Sequence, residues 1–297
     1  MRKKIFISNS ARGGKKLAKR LGYSFHQETT IEKYPDTEKV IGIREKIIRR
    51  ADIIYWQFDN VQNLDDQILN LLAFVDKFSD SRITRLILPY MPYGRAAALA
   101  DNEVDKLCFL LRNLSAAVKT LHLVVVHHNF EQSTESRTGL KNIFVVEVDD
   151  QLVAFLEKKF GKRFVLASPD AGFSATVGRL AKIMNVASLS LTKRRLSPAA
   201  VSISSTLKEK KIVLENKNER FIIVDDIVST GETLSQATKI LQGLGVKAKN
   251  ISYAAVHDTR RGSVSQKIKV FCSNSLLVDH YDFDITDALY DALKTTS

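Results

Sequence analysis

Short apolar runs of strand length alternate with amphipathic helical runs along nearly the whole chain, and this alternation restricts the fold more than any other feature. The strand-like runs are KIFIS (4–8), DIIYWQF (52–58), RLILP (85–89), LHLVVV (121–126), RFVLAS (163–168), ASLSLT (187–192), RFIIV (220–224), NISYAAV (250–256) and SLLV (275–278). Between them, LDDQILNLLAFVDKF sets Leu64, Ile68, Leu71, Leu72 and Val75 at the i, i+4, i+7, i+8 spacing of one buried helical face. ETLSQATKILQGLG ends in glycines suited to a helix C-terminus. Strands separated by helices pack as parallel sheets with helices on their faces, so the expected class is α/β.

At 297 residues the chain is long enough for two domains, each with its own core. KIFISNSARGGKKLAKRLGYS and RFVLASPDAGFSATVGRLAKIMNVAS both run strand, small-residue loop, helix with Leu-Ala-Lys, then a short return. This suggests an internal duplication joined near 145–150: an N-terminal domain over 1–147 and a C-terminal domain over 148–297, with the last helix returning to the first domain. Arg195 to Lys211 mixes Ser, Pro and Lys without a clear period and reads as a loop.

The formal net charge is +12, which favours anionic ligands. The basic residues are dispersed, without a basic tail or a zinc-finger or zipper pattern, so phosphorylated small molecules suit the charge better than nucleic acid. No apolar run approaches the roughly 20 residues of a membrane span, and the start MRKKIFISNS reads as a first strand rather than a signal peptide. The two cysteines, Cys108 and Cys272, make neither a disulfide framework nor a zinc site, and a reducing cytoplasm is the expected home. GLGVKA (243–248) mimics part of a dinucleotide fingerprint but follows a helix rather than a strand.

The stretch with the most chemistry is RFIIVDDIVSTGETL (220–234). Four apolar residues run into two aspartates, and a buried strand stopping at Val224 would present Asp225 and Asp226 at its carboxyl end, where open α/β sheets bind ligands. Carboxylates there can accept hydrogen bonds from the vicinal hydroxyls of a ribose. Ser229, Thr230, Gly231, Glu232 and Thr233 then offer hydroxyls and backbone amides at a helix N-terminus, a phosphate cradle.

This stretch resembles the 5-phosphoribosyl diphosphate (PRPP) fingerprint shared by type I phosphoribosyltransferases and by ribose-phosphate diphosphokinases, the PRPP synthetases. Four further segments, in order, resemble the synthetase: KYPDTEKV, LILPYMPYGRA, ASPDAGFSATVGRLAKIMN and LTKRRLS. The resemblance implies two phosphoribosyltransferase-like domains, each a mostly parallel sheet flanked by helices, and the conversion of ATP and ribose 5-phosphate to PRPP and AMP with magnesium. It implies that Asp225 and Asp226 hold the ribose and that the loop from Ser229 through Thr230, Gly231 and Glu232 to Thr233 holds its phosphate. It further implies that Asp170 borders the sugar phosphate and its metal, and that Asp36, Glu38 and Arg95 contact ATP, the first two across a subunit boundary. His128 matches a histidine near metal and nucleotide, with His127 an alternative alignment. Lys193 and Arg195 match catalytic cations, and a homo-oligomer built from dimers is expected.

The sequence departs from that family after Arg95, where Ala96, Ala97 and Ala98 replace side chains that contact the nucleotide. Weaker discrimination among nucleoside triphosphates is expected. Two alternatives stay open: a non-catalytic regulatory homologue, and a PRPP-using phosphoribosyltransferase, which leaves the N-terminal half unexplained.

Overall fold

The computed structural model describes residues 4–27, 29–33, 39–42, 51–60, 63–77, 85–94, 104–124, 130–191, 193–197, 200–203, 207–260 and 268–295. Asp36, Glu38, Arg95, Ala96 to Ala98, His127 and His128 lie outside the described residues. The chain divides into two compact units: Met1–Glu147 with Ser275–Asp279 and Ile285–Ser297, and Val148–Asn274 with His280–Asp284.

The first unit begins β1 (Ile5–Ser8), α1 (Ala11–Leu21), β2 (Ser24–Gln27), then an antiparallel pair, β3 (Thr29–Lys33) with β4 (Lys39–Gly42). It continues β5 (Ala51–Tyr55), α2 (Leu64–Lys77), β6 (Arg85–Leu88), α3 (Lys106–Ala117), β7 (Thr120–Leu123), α4 (Phe130–Thr138) and β8 (Ile143–Val145). The second unit runs α5 (Asp149–Phe160), β9 (Phe164–Ser168), α6 (Ser174–Met184) and β10 (Ala187–Ser190), then another antiparallel pair, β11 (Lys193–Ser197) with β12 (Ala200–Ile203). It continues α7 (Leu207–Glu215), β13 (Arg220–Val228), α8 (Glu232–Gly243), β14 (Ile251–Asp258) and β15 (Lys269–Cys272). The closing helix, α9 (Thr286–Thr295), belongs to the first unit.

Among the described residues, the first sheet has the order β2-β1-β5-β6-β7-β8 and the second the order β10-β9-β13-β14-β15. All neighbouring strands in both are parallel. The same plan thus occurs twice: a strand, a helix, an outward neighbour, an antiparallel hairpin, then a central strand from which the sheet grows the other way. This reversal creates a crevice between β1 and β5 in one unit and between β9 and β13 in the other. In open α/β sheets such a switch point is where ligands bind.

Each unit has its own core. In the first, Phe6, Ile53, Ile54, Leu86 and Leu121 are fully buried on adjacent strands, and Trp56 packs on Phe74 of α2 with ring centroids 5.3 Å apart. Helix α9 meets α1 through an Arg20–Asp287 ion pair, with Arg20 also 4.4 Å over the Tyr290 ring. In the second, Val165, Phe221, Ile223 and Tyr253 pack against Leu234, Ala237 and Leu241 of α8. Phe155, Phe160, Phe271 and Phe283 form a ring cluster with centroid separations of 5.4 to 5.7 Å.

Three expectations are corrected. The SLLV run is not a strand: it contributes an isolated bridge from Leu277 to Asp59, while the ladder is built by KVFC, which starts six residues upstream of it, as β15. The segment from Arg195 onward is not an irregular loop, since its described residues form β11, β12 and the start of α7. And β13 does not stop at Val224. Its pairing to β9 ends at Ile223, but pairing to β14 continues to Val228, so one neighbour holds the strand after the other has turned away.

Candidate active site at the second switch point

The two crevices differ in what fills them. At the first, Asn9 bridges the strands: its Nδ2 donates to the Gln57 carbonyl and its Oδ1 accepts from the Gln57 N–H, each at 2.8 Å. A side chain on Gly13 would meet the Tyr55 ring and Gln57 at about 3 Å, so α1 is pressed against β5 with no space left there. Among the described residues, the ends of β1 and β5 are thus tied directly to each other.

At the second, the loop after β9 and the overrunning end of β13 bring carboxylates together. Asp170 follows Ser168, whose hydroxyl donates to the Asp170 carbonyl at 2.5 Å. Asp170 Oδ1 accepts from the backbone N–H of Gly172 at 3.0 Å and of Phe173 at 3.3 Å, an Asx turn that holds its side chain at the start of α6. Asp225 lies on β13 just past the last rung shared with β9. Its Oδ2 accepts from the Tyr253 hydroxyl at 2.6 Å and its Oδ1 from the Asp226 N–H at 3.0 Å. Burial pushes the Asp225 carboxyl above its ordinary range and the charge of Asp170 adds to this, while the Tyr253 and Asp226 donors oppose it. Asp170, Asp225 and Asp226 therefore share one electrostatic neighbourhood with a standing excess of negative charge.

The loop after β13 supplies the opposite polarity. Gly231 has φ 77° and immediately precedes α8, a left-handed conformation that glycine adopts at little cost. Gly231, the N-cap residue, has no side chain to cap the helix, and Thr230 Oγ1 accepts from the Glu232 N–H at 3.4 Å. The first-turn amides of a 12-residue helix thus face the crevice end, carrying partial positive charge suited to a phosphate. Glu232 is engaged along the helix, accepting from Gln236 one turn on at 3.0 Å. Ser229 and Thr233 are half-buried and Thr230 is exposed. The neighbouring strand end steadies this loop: the N–H and hydroxyl of Thr259 both donate to the Val228 carbonyl, at 2.9 and 3.1 Å.

Of the expected site residues, Asp170, Asp225, Asp226 and the stretch from Ser229 to Thr233 meet at this switch point. Lys193 and Arg195 lie on β11, their backbones opposite Ile203 and Val201. Sequence reasoning missed Tyr253 and the Asp258–Arg260 pair beside the loop. Arg260 grips Asp258 with Nε at 2.8 Å and a terminal nitrogen at 2.6 Å. An Arg two residues from an Asp at a strand's carboxyl end was the available signal.

A phosphoribosyl transferase domain model matches residues 140–285, which contain every described part of this site. Over its whole length the chain superposes on the crystal structure of phosphoribosylpyrophosphate synthetase from Mycobacterium smegmatis, with a TM-score of 0.78, 16% identity and 99% of each chain covered. Ribose-phosphate pyrophosphokinase from Pyrococcus abyssi is 27% identical over 76% of this chain and 75% of its own. Ribose-phosphate pyrophosphokinase 2 from Archaeoglobus fulgidus is 28% identical over 76% and 74%. The enzyme of that name from Halalkalibacterium halodurans is 24% identical over 90% and 81%. With a doubled switch-point plan and sequence similarity to these pyrophosphokinases over as much as 90% of its length, the chain belongs to the ribose-phosphate pyrophosphokinase (PRPP synthetase) family.

Proposed function

We propose that the chain transfers the diphosphoryl group of ATP to the anomeric hydroxyl of ribose 5-phosphate, giving PRPP and AMP. The observation that carries this reading is the pairing of half-buried Asp225 with the glycine-led start of α8 at one switch point. A ribose phosphate has hydroxyls to donate at one end and a dianion at the other, and the site offers acceptors and donors in the same order.

In this reading Asp225 and Asp226 accept from the ribose hydroxyls, and the amides and hydroxyls from Ser229 to Thr233 receive the 5-phosphate. The anomeric oxygen then attacks the β-phosphorus of ATP. The bond from that phosphorus to the α-phosphate oxygen breaks, AMP departs, and the hydroxyl proton passes to solvent. Lys193 and Arg195 neutralise the charge that spreads over the transferring group, where positioning and electrostatics supply most of the rate. Asp36, Glu38, Arg95 and His128 serve the nucleotide side, in an assembly of subunits built from dimers.

The donor chemistry fits magnesium. Among the described residues no set of three or more His, Cys, Asp or Glu side chains could hold an ion by itself. Magnesium is commonly held by one or two carboxylates together with substrate phosphates and water, and Asp170 beside Asp225 and Asp226 offers hard oxygen atoms with surplus negative charge. When bound, magnesium supplies charge neutralisation across the phosphates.

Titration calorimetry with ribose 5-phosphate tests the sugar site. Asp225→Asn and Asp226→Asn each replace a charged acceptor by a weaker neutral one and are expected to weaken binding about tenfold. Unchanged affinity in both variants removes the sugar from this loop.

A further inference from the structure

We propose that Tyr253 is a positioning residue for Asp225: its buried hydroxyl locks the carboxylate so that the remaining acceptor sites face the sugar. The inference rests on the ribose reading of the site.

Tyr253 is 1% exposed and pairs with Ile223, two residues before Asp225, on the next parallel strand. Paired residues in a parallel ladder share a face, so Tyr253, Ile223 and Asp225 all lie on the side covered by α8. The residue level with Asp225 on β14 is Ala255, fully buried and too small to fill the space above the phenol ring. A tyrosine side chain leans along its strand and spans one rung, which brings its hydroxyl to 2.6 Å from Asp225 Oδ2. The other oxygen takes the Asp226 N–H at 3.0 Å.

A carboxylate has about four acceptor sites, and here two are occupied from the protein side, one on each oxygen. Both donors are fixed, one on a buried strand and one on the backbone. Rotation of the carboxylate would break both bonds inside a poorly solvated place, where an unmade hydrogen bond is costly. The Tyr253 hydroxyl has a single O–H, and the structure gives it to Asp225 Oδ2. The two acceptor sites left on Asp225 are then offered in one orientation.

A double-mutant cycle separates this role from a contribution to folding alone. Wild type, Tyr253→Phe, Asp225→Asn and the double variant are titrated with ribose 5-phosphate and, separately, with inorganic phosphate. Tyr253→Phe is expected to weaken ribose 5-phosphate binding about tenfold, the loss of one hydrogen bond to a charged group, and to leave phosphate binding within twofold. In the Asp225→Asn background the same change is expected to alter ribose 5-phosphate binding less than twofold. Equal losses in both backgrounds, equal losses for sugar phosphate and phosphate, or no loss at all would overturn the positioning role while leaving the sugar site in place. Wild-type protein that binds ribose 5-phosphate no more tightly than phosphate would overturn the sugar reading, and the role of Tyr253 with it.

Discussion

Two helical glycines that look alike in sequence are expected to respond to alanine with opposite signs. Gly14 lies in α1 and Gly178 in the corresponding helix of the second unit, α6. In a helix interior, Gly→Ala is worth about 1 kcal/mol of added stability through propensity alone. At Gly178 a methyl group meets nothing within 4 Å, so the full gain of about 0.5–1 kcal/mol is expected. At Gly14 a methyl group would stand 2.6 Å from Ser8 Cβ, closer still to its hydroxyl, and 3.2 Å from the Phe25 ring. Ser8 cannot yield: it is fully buried, is paired to Gln27 on one side and Tyr55 on the other, and its hydroxyl donates to the Ser10 carbonyl and accepts from the Ser10 N–H. Overpacking a rigid core costs about 1–3 kcal/mol, and contact this close with Ser8 Cβ belongs to the upper part of that range, so the propensity gain is exceeded and Gly14→Ala is destabilised by about 1–2 kcal/mol. Trp56, the only tryptophan, is buried in the first unit and reports its unfolding. Urea titration followed by its fluorescence is expected to show a midpoint lowered by roughly 0.5–1 M for Gly14→Ala. Circular dichroism is expected to show a raised midpoint for Gly178→Ala. A Gly14→Ala variant as stable as wild type would refute the close packing of α1 on β1.

The buried His122 makes the first unit acid-sensitive. Its ring is fully buried, is stacked on Phe144, has an Nδ1 without a hydrogen-bond partner, and is held down to a pKa of about 4 by burial and then by Arg85. The unfolded chain takes up this proton below about pH 6.5 and the folded chain only near 4. Stability therefore falls as pH drops through that window, by about 3 kcal/mol for a depression of this size. Urea midpoints read by Trp56 are expected to lose that slope in His122→Leu, and equal slopes in both proteins would put the acid sensitivity elsewhere. On the catalytic side, Lys193→Ala and Arg195→Ala are each expected to lower kcat about 100-fold or more with little change in ribose 5-phosphate affinity. Parallel losses in calorimetry and turnover would make these side chains ground-state contacts.

How far the sequence could be read depended on the strand's place in its sheet. Central strands such as β5, β6, β9 and β13 are buried on both faces and appear as continuous apolar runs. Edge strands do not: β2 is SFHQ, half-exposed and polar at three of its four positions, and β8 is three residues long. The SLLV run looked like a strand because it is apolar, yet Leu276 is buried by packing rather than by a ladder. Two aspartates after an apolar run suggested a strand end. What decided the length of β13 was its neighbour, since β14 continues to offer partners after β9 has turned away. The loop that leads from β13 into α8 is one continuous segment, so the placing of Asp225 to Thr233 together was legible in the sequence. Tyr253 was not, because an aromatic residue in a strand carries no sign of what its hydroxyl touches, and Asp225 is 28 residues away.

Synthesis of PRPP by this chain is open to a direct measurement. Purified protein is incubated with ATP, ribose 5-phosphate and magnesium, and the products are identified by mass spectrometry. PRPP and AMP are expected in equal amounts, both dependent on ribose 5-phosphate and on magnesium. Absence of PRPP under conditions where calorimetry shows ribose 5-phosphate bound would contradict the account and leave a protein that keeps the sugar site without the transfer.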